Sequence, residues 1–183
     1  IRKKAAALGL LVADKPDSQE ICFVPDNNYR RFLQERVAAN EIKPGNFLNT
    51  KGEVIGQHQG LPFYTVGQRK GLGLALGYPA YVVALDPRRN AVIIGRDDEV
   101  FQRGLLAADN NFIAIPALTE PMEVKAKIRY AANPAPALIT PEADGRVRVM
   151  FREKQRAITP GQAVVYYQGE LVIGGGVIDE VLF

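Results

Sequence analysis

Val124-Lys125-Ala126-Lys127-Ile128-Arg129-Tyr130 sets an apolar residue after every basic one. A period of two belongs to a β-strand with one face in a core and the other in water. It predicts Val124, Ala126, Ile128 and Tyr130 inward, and Lys125, Lys127 and Arg129 outward. Val147, Val149 and Phe151 alternate in the same way with Arg146, Arg148 and Arg152, after a turn at Asp144-Gly145. If the two strands are neighbours, their cations share one outer surface. From pattern alone that surface is a solvated sheet face; the other reading is a face that contacts phosphates.

The same texture continues on both sides. Residues 164–167, Gln168-Gly169-Glu170 and residues 171–173 read as a hairpin. Gly174-Gly175-Gly176 marks a bulge or a close backbone approach. Thr159-Pro160-Gly161-Gln162 is a turn that leads into a strand. Upstream, Asp86-Pro87-Arg88-Arg89-Asn90 is the turn of a hairpin over residues 79–95. Many short strands at regular spacing make the chain mainly β, with a small sandwich or barrel at its end. Arg96-Asp97-Asp98-Glu99 breaks the pattern and sets a domain boundary near Val100.

The first forty residues differ. Residues 2–8 read as the end of a helix capped by Gly9, and residues 10–13 as a short strand. The polar stretch 14–20 is a loop, and Ile21-Cys22-Phe23-Val24 is a second short strand stopped by Pro25-Asp26. Asn27 or Asn28 caps a helix over residues 29–39, whose Tyr29, Phe32, Leu33 and Val37 recur at helical spacing. The expected organisation is a short α/β segment over 1–27, a small central domain over 28–99 and a β domain over 100–183.

Composition bounds the function. The apolar share of 47% supports a packed core, and the net charge of +3 with a pI of about 9.0 is compatible with a polyanionic partner without demanding one. One cysteine and one histidine exclude an internal disulfide and a Cys/His zinc site. No apolar run approaches a membrane span and no signal peptide opens the chain, so it reads as cytoplasmic with no membrane partner. It begins with Ile inside a helical pattern, as expected of a piece of a longer protein.

Candidate chemistry is sparse. Cys22 is the only possible thiol nucleophile. Its neighbours Ile21 and Phe23 give no reason for a low pKa, and they read it as an inert strand cysteine. Its place at a strand end keeps a reactive role open. His58, in Gly56-Gln57-His58-Gln59-Gly60, has no triad partner and reads as a histidine making local hydrogen bonds. Gly67-Gln68-Arg69-Lys70-Gly71-Leu72-Gly73 is neither a P-loop nor a dinucleotide fingerprint. It reads as a structural glycine loop, with Arg69 and Lys70 adding a tilt towards an anion or RNA contact. No strand–glycine loop–helix unit offers a methyl-donor site.

The segment from Lys15 through Ser18-Gln19-Glu20-Ile21-Cys22-Phe23 to Pro25 resembles the surroundings of the second catalytic cysteine of tRNA-specific 2-thiouridylases. The stretch from Phe63-Tyr64-Thr65-Val66 through Gly73 is similar to the signature of their central domain. Lys127-Ile128-Arg129-Tyr130, Thr159-Pro160-Gly161-Gln162 and Gly174-Gly175-Gly176 resemble their C-terminal β-barrel, in order and at similar spacing. The resemblance covers residues 3–179.

The resemblance implies a sulfurtransferase that places sulfur on C2 of the wobble uridine of tRNA. Residues 1–27 would be a remnant of an ATP-binding catalytic domain that is otherwise missing from this chain. ATP, held by that domain and not by this chain, would activate the uridine C2 oxygen. Cys22 would carry the sulfur as a persulfide received from a sulfur-relay protein, and could pair as a disulfide with a cysteine of the ATP-binding domain. Arg129, Tyr130 and Gln162 would contact tRNA, with Arg69 and Lys70 as further candidates. After Tyr130 this chain runs Ala131-Ala132-Asn133-Pro134, less polar than the family pattern. The chain alone is expected to be inactive. The competing readings are a non-catalytic RNA-binding β module with a structural cysteine, and a barrel that binds protein.

Overall fold

In the computed structural model of the chain, the described residues are 1–11, 13–14, 24, 28–37 and 42–183. The stretch 15–23 that holds Cys22 lies outside them. The chain forms two compact units, Ile1–Ile42 and Lys43–Phe183.

In the first unit, α1 spans Arg2–Ala7. Gly9 ends it in the left-handed region, at φ 65°. The Gly9 N–H donates to the Ala6 carbonyl and the Leu10 N–H to the Ala5 carbonyl, each at 3.0 Å. These two bonds satisfy helix-end carbonyls as a glycine cap does. They also overturn the strand expected over 10–13. The Leu10 N–H is committed to the helix end, and the Ala13 N–H donates back to the Leu10 carbonyl, so Leu10, Leu11 and Ala13 form turns. The second helix, α2, spans Tyr29–Arg36, with Asn28 as the cap accepting the Arg31 N–H at 3.0 Å. It stops before residue 39, because Val37 is already extended at φ −102° and ψ 132°.

The second unit opens with a four-stranded sheet built from β1 Gly45–Asn49, β2 Val54–His58, β3 Tyr81–Asp86 and β4 Ala91–Gly95. Its order is β2-β1-β4-β3, antiparallel except for the β1–β4 pair. The expected hairpin turn joins β3 to β4, with the Arg89 N–H donated to the Asp86 carboxylate. Phe47, Tyr64, Leu72, Val82, Val92 and Ile94 fill one core.

Six further strands close a barrel: β5 Phe101–Phe112, β6 Met122–Lys127, β7 Ala135–Pro141, β8 Val147–Arg156, β9 Ala163–Gln168 and β10 Leu171–Leu182. The order around it is β10-β5-β8-β7-β6-β9, and β6 pairs with β9 to close the ring. Closure leaves no open sheet edge, which settles the choice between sandwich and barrel. Val124 and Ala126 of β6 and Val149 and Phe151 of β8 point inward, as their alternation predicts, and Val164 and Tyr166 of β9 do so too. The buried Tyr166 hydroxyl donates to Asn110 Oδ1 at 2.9 Å, and burial pushes its phenol pKa up. The triple glycine lies in β10 where strands approach closely. A Cβ on Gly174 would stand 2.4 Å from the Asn111 carbonyl oxygen, and one on Gly175 2.5 Å from that of Val164.

A 3-10 turn, Asp97–Val100, links sheet to barrel. Val83, Val100 and Ala157 pack at this junction with Tyr81 and Ile93. Arg156, the last residue of β8, pairs there with Asp97 at 3.1 Å and lies over the Tyr81 ring.

Candidate nucleic-acid interface

The strand that carries Lys125 and Lys127 is shorter than its alternation predicts. Pairing of β6 stops at Lys127, Ile128 is buried, and the chain then turns, with the Ala132 N–H bonded to the Arg129 carbonyl. Tyr130 is therefore not an inner-face residue. It stands in the turn, 98% exposed. Arg129 leaves the strand as well: its Nη2–H donates to the Arg156 carbonyl oxygen at 3.0 Å, which holds the guanidinium against the end of β8.

The shared basic surface expected from the two alternating strands does not form. β7 lies between β6 and β8, so they are not neighbours. Arg146, just before β8, and Arg148 and Arg152 within it are also paired with carboxylates. Arg146 pairs with Asp144 at 2.8 Å and Asp179 at 3.0 Å, Arg148 with Glu142, and Arg152 with Glu123. Among the described residues Lys125, Lys127 and Arg129 have no carboxylate partner. All three belong to β6 or to the turn that follows it, which sets them on the β6 side of the barrel.

That side holds a cleft of about 370 Å³, lined by Lys127, Arg129, Tyr130, Gln162, Ala163, Val165 and Tyr167. The residues come from far apart in sequence because β6 and β9 are joined at the seam, with Lys127 opposite Val165 and Lys125 opposite Tyr167. Lys127 Nζ sits 5.6 Å from the Tyr130 ring centroid, within cation–π range. Gln162 is exposed at the end of its turn. The turn is fixed to β10 by Gly161 N–H donating to the Ile178 carbonyl and Ile178 N–H donating to the Gln162 carbonyl. The backbone of Gln162 is thereby held while its amide, with no hydrogen bond among the described residues, faces the cleft. Two aromatic rings, unpaired cations and a free amide around a small apolar floor can stack a base, contact a phosphate and hydrogen-bond a base edge. Arg129, Tyr130 and Gln162 meet in this one cleft; Lys127, expected only as an outward cation of the strand, joins them, and so does Tyr167, which the sequence reading did not single out.

Arg69 and Lys70 do not line it. They are exposed on the loop 67–73, which is anchored by buried Leu72 and by the Gly67 N–H bonded to Val82. Gly67 has φ 85°, and a Cβ there would come within 3.1 Å of Arg156 Nη1, so glycine is needed for both reasons. His58 is 1% exposed. Its Nδ1 accepts the Gly60 N–H and its Nε2 donates to the Asn90 carbonyl, both at 3.0 Å, which fixes one neutral tautomer. It is a structural residue with both nitrogens occupied. Cys22 and its neighbours are outside the described residues. Among the described residues no cluster of acidic, histidine or cysteine side chains could hold a metal, and no helix is long and apolar enough to cross a membrane. Another cleft, of about 720 Å³, has Arg88, Arg89 and Lys154 mixed with Asp86, Asp98 and Glu99 on its rim, so it offers no field of one sign.

Residues 30–96 match the family described as "tRNA methyl transferase PRC-barrel domain". Residues 102–178 match the "Aminomethyltransferase beta-barrel domain". Across nearly its whole length the chain is 64% identical, over 179 residues, to the tRNA-specific 2-thiouridylase MnmA of Heliobacterium modesticaldum. The overlap is 97% of this chain and 46% of that protein. It is 58% identical over 179 residues to the protein of the same name from Acetivibrio thermocellus, covering 98% of this chain and 50% of the relative. The Symbiobacterium thermophilum protein is 59% identical over 182 residues, covering 100% of this chain and 46% of the relative. The chain belongs to the tRNA-specific 2-thiouridylase family and spans about half the length of the curated relatives it matches.

Proposed function

We propose that this chain supplies the tRNA-docking surface and the sulfur-carrying cysteine of a tRNA 2-thiouridylase. The observation that supports docking is the convergence of Arg129, Tyr130 and Gln162 on one cleft. An RNA loop whose bases are unstacked can lay a base on Tyr130 while its phosphates meet Arg129 and Lys127. Arg69 and Lys70, exposed on their own loop, are assigned a separate backbone contact. The proposed layout keeps residues 1–27 with the catalytic part, 28–99 as a central tRNA-binding domain and 100–183 as the barrel that docks RNA.

Cys22 is assigned the sulfur. A persulfide on that side chain is a softer and more acidic nucleophile than a thiol; its outer sulfur would attack the activated C2 of the wobble uridine as AMP leaves, and a second thiol would then attack the Cys22 sulfur, breaking the S–S bond, leaving Cys22 in a disulfide and the sulfur on C2. A relay protein with its own persulfide is the donor class this chemistry needs. The described residues do not fit a nucleoside triphosphate. The glycine loop 67–73 opens no helix, and no Gly-Lys-Ser/Thr closes it. ATP-dependent activation is accordingly assigned to the part of the relatives that this chain does not span. The setting proposed for this activity is the cytoplasm.

The test uses the full-length protein with ATP, a sulfur donor and unmodified tRNA, with and without Cys22→Ser. 2-Thiouridine is read by mercury-gel retardation or mass spectrometry. Loss of thiolation with retained tRNA affinity is expected. Normal thiolation by the variant would overturn the assignment and leave an RNA-docking module with a structural cysteine.

A further inference from the structure

The outer face of the β6–β9 seam does not end at the cleft. On its far side Tyr167 borders a second depression, about 310 Å³, lined with Lys125, Pro136, Gln168 and Gly169. Both depressions use Tyr167 as a wall. We propose that this second depression is a subsite for one further nucleotide of the bound RNA, with Tyr167 as its stacking surface and Lys125 as its phosphate contact. The inference rests on the docking reading above and extends it by residues that neither the family resemblance nor the relatives' names assign.

Register carries the inference. Lys125 and Lys127 are two apart on one strand and point to the same side, so they sit about 6.7 Å apart along β6, close to the repeat of successive phosphates in an extended polynucleotide. Directly across the seam from them stand Tyr167 and Val165. Cation and ring therefore face each other at Lys125–Tyr167, and they do so again in the first cleft at Lys127–Tyr130. A strand of RNA meets the same pair of groups twice, one step apart. Neighbouring side chains leave the path open: Ala163 and Val165 are small, and Gly175 of β10 lies opposite Val165 with no side chain. The Arg152–Glu123 ion pair borders the far side, spending Glu123 on a partner other than Lys125. An acidic peptide would use the lysines but gain nothing from two rings at the spacing of the charges, whereas every base has a face to stack.

The experiment titrates the full-length protein with an unmodified tRNA transcript over a range of salt concentrations. Tyr167→Ala is expected to weaken binding by about tenfold, within the range of a lost base–aromatic stack, and Tyr167→Phe to restore it. Lys125→Ala is expected to lower the salt slope by about 0.7–0.9, one phosphate contact. Thermal midpoints of all variants should match the parent, since Tyr167 and Lys125 point out of the barrel. Unchanged affinity in Tyr167→Ala and Lys125→Ala, together with weakened Arg129→Ala, would overturn the subsite and leave the docking cleft standing. If Arg129→Ala also binds like the parent, both readings fall. Displacement of the transcript by a polyglutamate peptide in the parent but not in Lys125→Ala would make this a protein-binding surface and equally overturn the proposal.

Discussion

The Arg129 guanidinium donates from Nη2 to the backbone carbonyl of Arg156 at 3.0 Å. Arg156 is itself held by Asp97 and the Tyr81 ring, at the junction of sheet and barrel. Arg129 is thus tied at one corner of its planar fork while its other donors remain for the cleft.

Removing that fork should have two separable effects. Arg129→Ala is expected to weaken tRNA binding and lower the salt slope by about one contact. Arg129→Lys keeps the charge and should keep the slope, yet loses affinity because an ammonium cannot serve the carbonyl and a phosphate with the same geometry. Affinity measured against salt for both variants checks this; a lower slope in Arg129→Lys would contradict the tether.

The arginines of β8 provide the contrast. Arg148 is engaged by Glu142 and lies outside the cleft. Arg148→Gln should leave both tRNA affinity and the salt slope where they are, although it removes a positive charge from a basic protein. A slope reduced by about one would mean that the RNA also crosses β8.

Glu99 makes stability sensitive to acid. The Arg96 backbone N–H, and after it the Thr50 hydroxyl, hold its carboxyl pKa below the ordinary value. A carboxylate whose folded pKa is depressed stabilises the fold above its unfolded pKa, and that contribution fades as pH falls through the folded one. Glu99→Gln should therefore be less stable than the parent near neutral pH, with the difference shrinking as the pH is lowered below the ordinary glutamate range. Denaturant midpoints across pH test it; a constant difference would assign the effect to lost hydrogen bonds.

Tyr166 probes the barrel interior. Tyr166→Phe keeps the ring and deletes the hydroxyl that reaches Asn110. A loss of about 1 kcal/mol in unfolding free energy is expected, typical of a buried hydrogen bond. RNA affinity should stay unchanged because the residue points away from the cleft.

The architecture was legible where one strand face meets core and the other meets water. Residues 124–127 and 147–151 follow their period-two pattern to the barrel wall. β5 was not legible, because Gly104, Leu105, Leu106 and Ala107 are all buried and alternation vanishes when both faces are covered. β7 was hidden by Pro136 and Pro141 inside it, residues that argue against a paired strand. For the site, motif resemblance selected Arg129, Tyr130 and Gln162, and the cleft unites them. Lys127 was legible as an outward cation, but Tyr167 was not selectable, because its proximity to Lys127 depends on β6 meeting β9 across some forty intervening residues, a register no local pattern encodes. The inward placement of Tyr130 failed for a simpler reason: alternation has no signal for where pairing stops.

The β6–β9 seam gives the molecule a built-in check on its own assembly. Lys125, Lys127 and Arg129 come from one lip of the ring, and Gln162, Val165 and Tyr167 from the other. A chain in which the ring is still open has every one of these side chains but no platform. On the docking proposed above, a closed ring is the condition for RNA capture, and a copy whose ring is still open has no platform to offer.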